Sequence, residues 1–272
     1  MDRGSNSSTM KKIIDRFSEA KTKSKWNKFI FSKDKAEILI RALNESTYDI
    51  VPRDELTRKE IRHNFTIVKK EAVSEPEPFR KEEALERLLA VANTNMQNQI
   101  ALNKKNSKES IDLVYKKKDE VILIELKYAE NGGTPLYALV EGLKNFFIYK
   151  KNDQKKEFTI LILAPIHYYE KFHRESSIKN FFELIEFLSK EIKIKIIVKG
   201  IRIEMNYLEN AIKEMDIEEK KWTDWKPKGG DAIKAEIHAG ELLKRIDAEI
   251  LDALKIENWI DISLASWPKP KP

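Results

Sequence analysis

The stretch "SIDLVYKKKDEVILIELKYAEN", residues 110–131, decides how this chain is read. Its strand-forming runs "IDLVYK" and "VILIELKY" are joined by the polar "KKDE", the pattern of a β-hairpin. Side chains alternate along a strand, so Val121, Leu123, Glu125 and Lys127 share one face, and Ile122, Ile124, Leu126 and Tyr128 the other. A solvated face would be polar along its whole length. This one begins apolar and turns ionic only at its C-terminal end, where burying charge is costly. In the preceding strand Asp112 shares a face with Val114, and an antiparallel register about the turn sets Asp112 beside Glu125 and Lys127.

Two carboxylates converging at the rim of a core repel each other unless a cation lies between them. All-oxygen ligation suits Mg²⁺, with Mn²⁺ as a substitute. A lysine two residues further on can orient or deprotonate a water, or neutralise charge that develops on a phosphate.

The flanking sequence supplies an α/β frame. "RKEEALERLLAVANTN" carries Leu85, Leu88, Leu89 and Ala92 at helical spacing, and "QIALNK" reads as a short strand. After the break "NGG" (131–133), Thr134 caps and Pro135 opens the helix "LYALVEGLKNFFIYKK". "FTILILAP" is apolar throughout and reads as a central strand. A helix ("SIKNFFELIEFLSKEI"), a strand ("KIKIIVKGIRIEM"), a short helix from 207 and a last amphipathic helix over 231–256 follow. The order from residue 80 is helix, three strands, helix, strand, helix, strand, an α/β arrangement around a mixed sheet.

The constellation resembles the PD-(D/E)XK nuclease superfamily, the restriction-endonuclease-like group that includes Holliday-junction resolvases and repair nucleases. The motif falls on Asp112 and on Glu125-Leu126-Lys127, with Ile111 in place of the proline. Glu-x-Lys occurs five times in the chain, but only the copy at 125 lies inside an apolar strand that follows an Asp-bearing one. The family core runs helix, three strands, helix, strand, and residues 80–165 follow that order. The polar, Pro-rich "SEPEPF" (74–79) reads as a hinge that ends a basic, DNA-contacting N-terminal module at 1–75, ahead of an expected nuclease-like core over 76–206 and a mainly helical C-terminal region over 207–272. The resemblance implies that Asp112 and Glu125 bind metal and that Lys127 serves the nucleophilic water. A glutamate of the first helix completes the site in many members. Glu82, Glu83 and Glu86 are the candidates, with Glu86 preferred. The glutamine that many members carry on the next helix has no match among Glu141, Lys144 and Asn145.

The expected activity is therefore a Mg²⁺-dependent DNA endonuclease of restriction, defence or repair type, with RNA as a second possible substrate and a homodimer as a possible assembly. The alternative is a non-catalytic nucleic-acid-binding or scaffold subunit that retains the fold.

Composition sets the outer bounds. The chain has 272 residues, 41% hydrophobic and 35% charged, with a net charge of +6. It contains no cysteine, which excludes disulfides, thiolate metal sites and a cysteine nucleophile. No run of apolar residues is long enough to span a membrane, and "MDRGSNSSTMKK" lacks the apolar centre of a secretory signal, so a cytoplasmic address is expected. Residues 1–75 carry 17 Lys and Arg against 12 Asp and Glu, while 207–272 carry 11 against 14. A basic first part suits a polyanion partner, and Trp26 and Phe29 among the lysines read equally as a nucleic-acid surface or a solvated helix. The tryptophans of "KKWTDWKPKGG" (220–230) read as loop anchors ahead of a base-stacking surface. His167 and His173 in "HYYEKFH" are six apart, which fits no usual zinc motif, and no serine lies in a nucleophile elbow.

Overall fold

A computed structural model describes residues 22–45, 81–101, 110–129, 132–150, 157–223 and 242–270. Its centre is one open six-stranded sheet with strand order β1-β2-β3-β4-β5-β6: Met96–Ala101, Ser110–Lys116, Glu120–Leu126, Glu157–Pro165, Lys195–Ile201 and Ile260–Asp261. The first three strands are antiparallel, β3, β4 and β5 are parallel, and β6 returns antiparallel, so the sheet is mixed. The expected hairpin is present. Leu113 pairs with Ile124 and Val114 with Leu123, which brings Asp112 level with Glu125.

Eight α-helices lie whole within the described residues: α1 Lys23–Trp26, α2 Lys33–Glu45, α3 Lys81–Ala92, α4 Pro135–Lys150, α5 Ile166–Glu170, α6 Glu175–Ile192, α7 Met205–Thr223 and α8 Ala248–Ala253. The alternation of β3 divides them. Val121 and Leu123 join the core that holds Leu139 and Leu143 of α4 and Phe181 and Leu184 of α6. Ile122, Ile124 and Leu126 join a second core with Leu85, Leu88 and Leu89 of α3 and Leu208 and Ile212 of α7. Strand β4 contributes Ile160 and Ile162 to one core and Leu161 and Leu163 to the other. Apolar on both faces, it sits in the middle of the sheet, as its composition requires.

Local signals behave as their chemistry dictates. The Thr134 hydroxyl accepts from the Tyr137 backbone N–H at 3.2 Å and caps α4 beside Pro135. Gly133 has a φ of 114° and no room for a side chain, because a Cβ there would stand 2.6 Å from the Tyr137 ring. The helix expected over 231–256 is interrupted in its described part. Residues 242–245 are helical, then Asp247 takes extended backbone and accepts from the Glu249 N–H at 2.8 Å, restarting the chain as α8.

Within the segment expected to be a basic N-terminal module, α1 and α2 pack on the sheet's first core through Trp26, Leu39 and Leu43. Trp26 is fully buried, stacked 6.1 Å from Trp267 and edge-on to Phe172 and Phe181. Its ring is core, which corrects both expectations for it: it neither stacks on bases nor rides on a solvated helix. Most of the tryptophan-bearing stretch 220–230 lies outside the described residues. No described helix is long and apolar enough to cross a membrane.

Candidate active site at the end of strand β3

Beyond Leu126 the chain leaves β3 but keeps one more sheet bond, from Lys127 N–H to the Leu163 carbonyl at 2.9 Å. That bond carries the alternation through Lys127, so Glu125 and Lys127 emerge on the α4 side at the strand's end. Glu125 is 4% exposed and Lys127 4%. Asp112 arrives from β2, and its Oδ2 accepts from the Leu126 N–H at 2.9 Å. The structure therefore brings Asp112, Glu125 and Lys127 to one strand end, as the hairpin register requires.

Of the three glutamates considered on α3, Glu82 is the one that meets this group. Its Oε2 accepts from the Tyr128 N–H at 3.0 Å, and Lys127 and Asp112 dominate its electrostatic surroundings. Glu83 turns toward Arg87, 3.8 Å away. Glu86 is buried one turn further along α3 at 2% exposure. Gly132 lets the chain pass close over the site, since a Cβ there would lie 3.0 Å from Glu82 Oε2 and 3.7 Å from Lys127 Cδ.

Two α4 residues that the motif comparison left without a role complete the group. Lys127 Nζ lies 2.7 Å from Glu125 Oε1 and 3.1 Å from Glu141 Oε2. Asn145 Nδ2 donates to Glu125 Oε2 at 3.2 Å. The signal for them was present in the sequence: Glu141 and Asn145 are polar positions four apart on a largely apolar helix, so they share a face.

Four carboxylates thus surround one ammonium, and the electrostatics follow from that imbalance. Burial pushes Glu82 up to about 7 against the opposing pull of Lys127, with Asp112 adding to the rise. Burial also raises Asp112, while Lys127 and the Leu126 N–H hold it back. Glu125 rises well above the usual carboxylate range, through burial first and then the charge of Asp112. Burial works against the Lys127 ammonium, but Glu125, Asp112, Glu141 and Glu82 outweigh it and hold its pKa well above the ordinary value. Lys127 is therefore a permanent cation near neutral pH. As a cation it can orient a water or offset phosphate charge.

Among the described residues, no three His, Cys, Asp or Glu side chains stand ready as a metal-binding group. Lys127 and Asn145 each hydrogen-bond one oxygen of Glu125. Each of those oxygens keeps a second lone pair that a cation can take. The donor chemistry is nevertheless that of a hard cation, all oxygen with a surplus of negative charge. Nearby, His167 packs edge-on to Tyr128, with ring centroids 5.8 Å apart. Burial, reinforced by Lys171, lowers its pKa to about 4, so it is neutral at pH 7. No protein-family model, curated protein or solved structure matches this chain.

Proposed function

We propose that the protein is a metal-dependent nuclease of PD-(D/E)XK type that hydrolyses phosphodiester bonds in DNA. One observation carries this reading: Asp112, Glu125 and Glu82 converge around Lys127 at the end of one strand, in a site with more carboxylates than its lysine can balance. Clusters of this kind, with pKa values pushed from their ordinary range, concentrate at functional sites. The helix, three strands, helix and strand across 81–165 have the order expected of a restriction-endonuclease-like core.

In this reading Asp112, Glu125 and Glu82 would hold Mg²⁺ or Mn²⁺, which supplies Lewis-acid stabilisation of the phosphate and an acidified water. The protein's own groups do the rest. Lys127 presents a fixed positive charge to the phosphate oxygens and orients the attacking water. Asn145 sets the rotamer of Glu125, the Leu126 N–H sets that of Asp112, and the Tyr128 N–H sets that of Glu82.

The test is incubation with supercoiled, linear and branched DNA and with single-stranded RNA, with Mg²⁺, with Mn²⁺ and in EDTA. Cleavage that requires the metal and disappears in Asp112→Asn supports the reading. Binding without cleavage of any substrate would favour the non-catalytic alternative.

A further inference from the structure

Lys127 holds two carboxylates of very different exposure. The Glu125 side chain is 5% exposed, as is Lys127 itself, whereas that of Glu141 is 32% exposed. Glu125 is also fixed from behind by Asn145, while the one contact of Glu141 that bears on the site is its 3.1 Å ion pair with the ammonium. Glu141 therefore stands on the solvent side of Lys127. An anion that approaches from solvent must replace it or pass it.

The geometry points to Glu141 as a carboxylate gate that occupies, in the free protein, the position at Lys127 that a substrate phosphate oxygen takes. This rests on the nuclease reading for the identity of the anion, a backbone phosphate, but the gate itself is a property of the ion pair. In the closed state Glu141 satisfies an ammonium that would otherwise be buried with too few hydrogen-bond partners, and it adds one more negative charge against which a phosphate must be brought. Opening breaks a partly solvated pair, which is inexpensive compared with breaking the buried Glu125 pair. The gate thus selects for ligands with enough negative charge to compete with a carboxylate, which a phosphodiester backbone has and a neutral polymer lacks.

The experiment measures binding of a short DNA duplex in EDTA at fixed ionic strength, using wild type, Glu141→Gln, Glu141→Asp and Glu183→Gln. Glu183 is an exposed α6 carboxylate paired with Lys179, so its variant removes the same charge from the surface without opening a gate. Glu141→Gln should bind roughly threefold to tenfold tighter than wild type, the effect of removing one like charge at close range in a partly solvated site. Glu183→Gln should change binding by less than about twofold. Glu141→Asp, which keeps the charge, should stay near wild type. Binding by Glu141→Gln no tighter than by Glu183→Gln, or weaker than wild type, overturns the gate.

Cleavage with Mg²⁺, measured on the same proteins, separates this inference from the reading it rests on. Wild-type cleavage without tightening in Glu141→Gln removes the gate and keeps the nuclease. Tightening without cleavage by any of the four keeps the gate and removes the nuclease. Absence of both removes both.

Discussion

Lys127, one residue past the end of β3, and Lys199, near the C-terminal end of β5, belong to one sheet region, and each makes an ion pair. Lys199 on β5 meets Asp261 of β6 at 3.2 Å and donates to the Trp259 carbonyl at 3.2 Å. Its side chain is 21% exposed and Asp261's is 81% exposed, so water reaches the pair freely. That arrangement fastens an edge strand with one counter-charge for one charge. Lys127 has a nearly buried ammonium surrounded by four carboxylates. A structural ion pair needs enough opposite charge to offset desolvation, and a surplus only adds repulsion. The difference between the two lysines is thus a matter of charge balance. One site is neutral and complete, while the other holds unspent negative charge that protons or a cation must take up.

The largest expected consequence concerns stability. Lys127→Met leaves four carboxylates without their cation, and in EDTA near pH 7 it should cost about 3 kcal/mol, the range for breaking a buried pair. The loss should shrink near pH 5 as those carboxylates take up protons. Urea denaturation at the two pH values measures it, and a cost below about 1 kcal/mol at pH 7 would place Lys127 in the same class as Lys199.

Activity is the next test of the contrast. Lys127→Met and Asp112→Asn should each reduce the initial rate of metal-dependent plasmid nicking by at least about a hundredfold, comparable with removal of one preorganised charge-stabilising group. Lys199→Met should nick at a rate near wild type. Equal losses for the two lysines would mean that folding, and not chemistry, is being measured.

The surplus charge also has a pH signature. Glu82 titrates at about 7 in the folded protein and near 4.5 when unperturbed, so between these values the folded state holds a proton that the unfolded chain has released. Metal-free stability must therefore fall as pH rises through that window, and the Glu82 contribution is complete above it. Asp112 and Glu125 are raised in the same direction. Glu82→Gln should flatten the slope by up to one proton, about 1.4 kcal/mol per pH unit. An unchanged slope in thermal or urea titrations across pH 4.5 to 7 would remove Glu82 from the cluster. The smallest effect belongs to the edge: Lys199→Met should cost less than about 1 kcal/mol, as exposed pairs do.

Much of this contrast is legible in the sequence, for identifiable reasons. A strand has period two and a short polar turn fixes the register, so Asp112 and Glu125 can be placed opposite one another from "DLVYKKKDEVILIE" alone. The helix carboxylate is harder. Glu82 and Glu86 are four apart and share a face, so periodicity cannot separate them. What decides is which turn of α3 abuts Tyr128, a matter of tertiary placement. Glu141 could be assigned to α4, but its reach to Lys127 depends on how that helix crosses the sheet. Trp26 had equal claims to solvent and to nucleic acid because its partner, Trp267, lies at the far end of the chain. Nothing local announces a contact over that distance.

The strictly sequential strand order bears on how such a site is assembled during synthesis. Every strand of the sheet is hydrogen-bonded to the one just before it in the chain, so no strand must wait for a distant segment before it can pair. Only the β1–β2 and β2–β3 pairings are local, however: β3–β4, β4–β5 and β5–β6 join residues more than thirty positions apart, and closing such loops costs entropy before the pairing rewards it. The residues that gather around Lys127 span 82 to 145, and the lysine is emplaced when β4 supplies the Leu163 carbonyl. A nascent chain released from the ribosome as far as β4 already contains all of them. The aromatic contact between Trp26 and Trp267 is different, because it joins distant parts of the described chain and can form only once residue 267 has been made. Synthesis therefore delivers every residue of the charged cluster before it delivers Trp267.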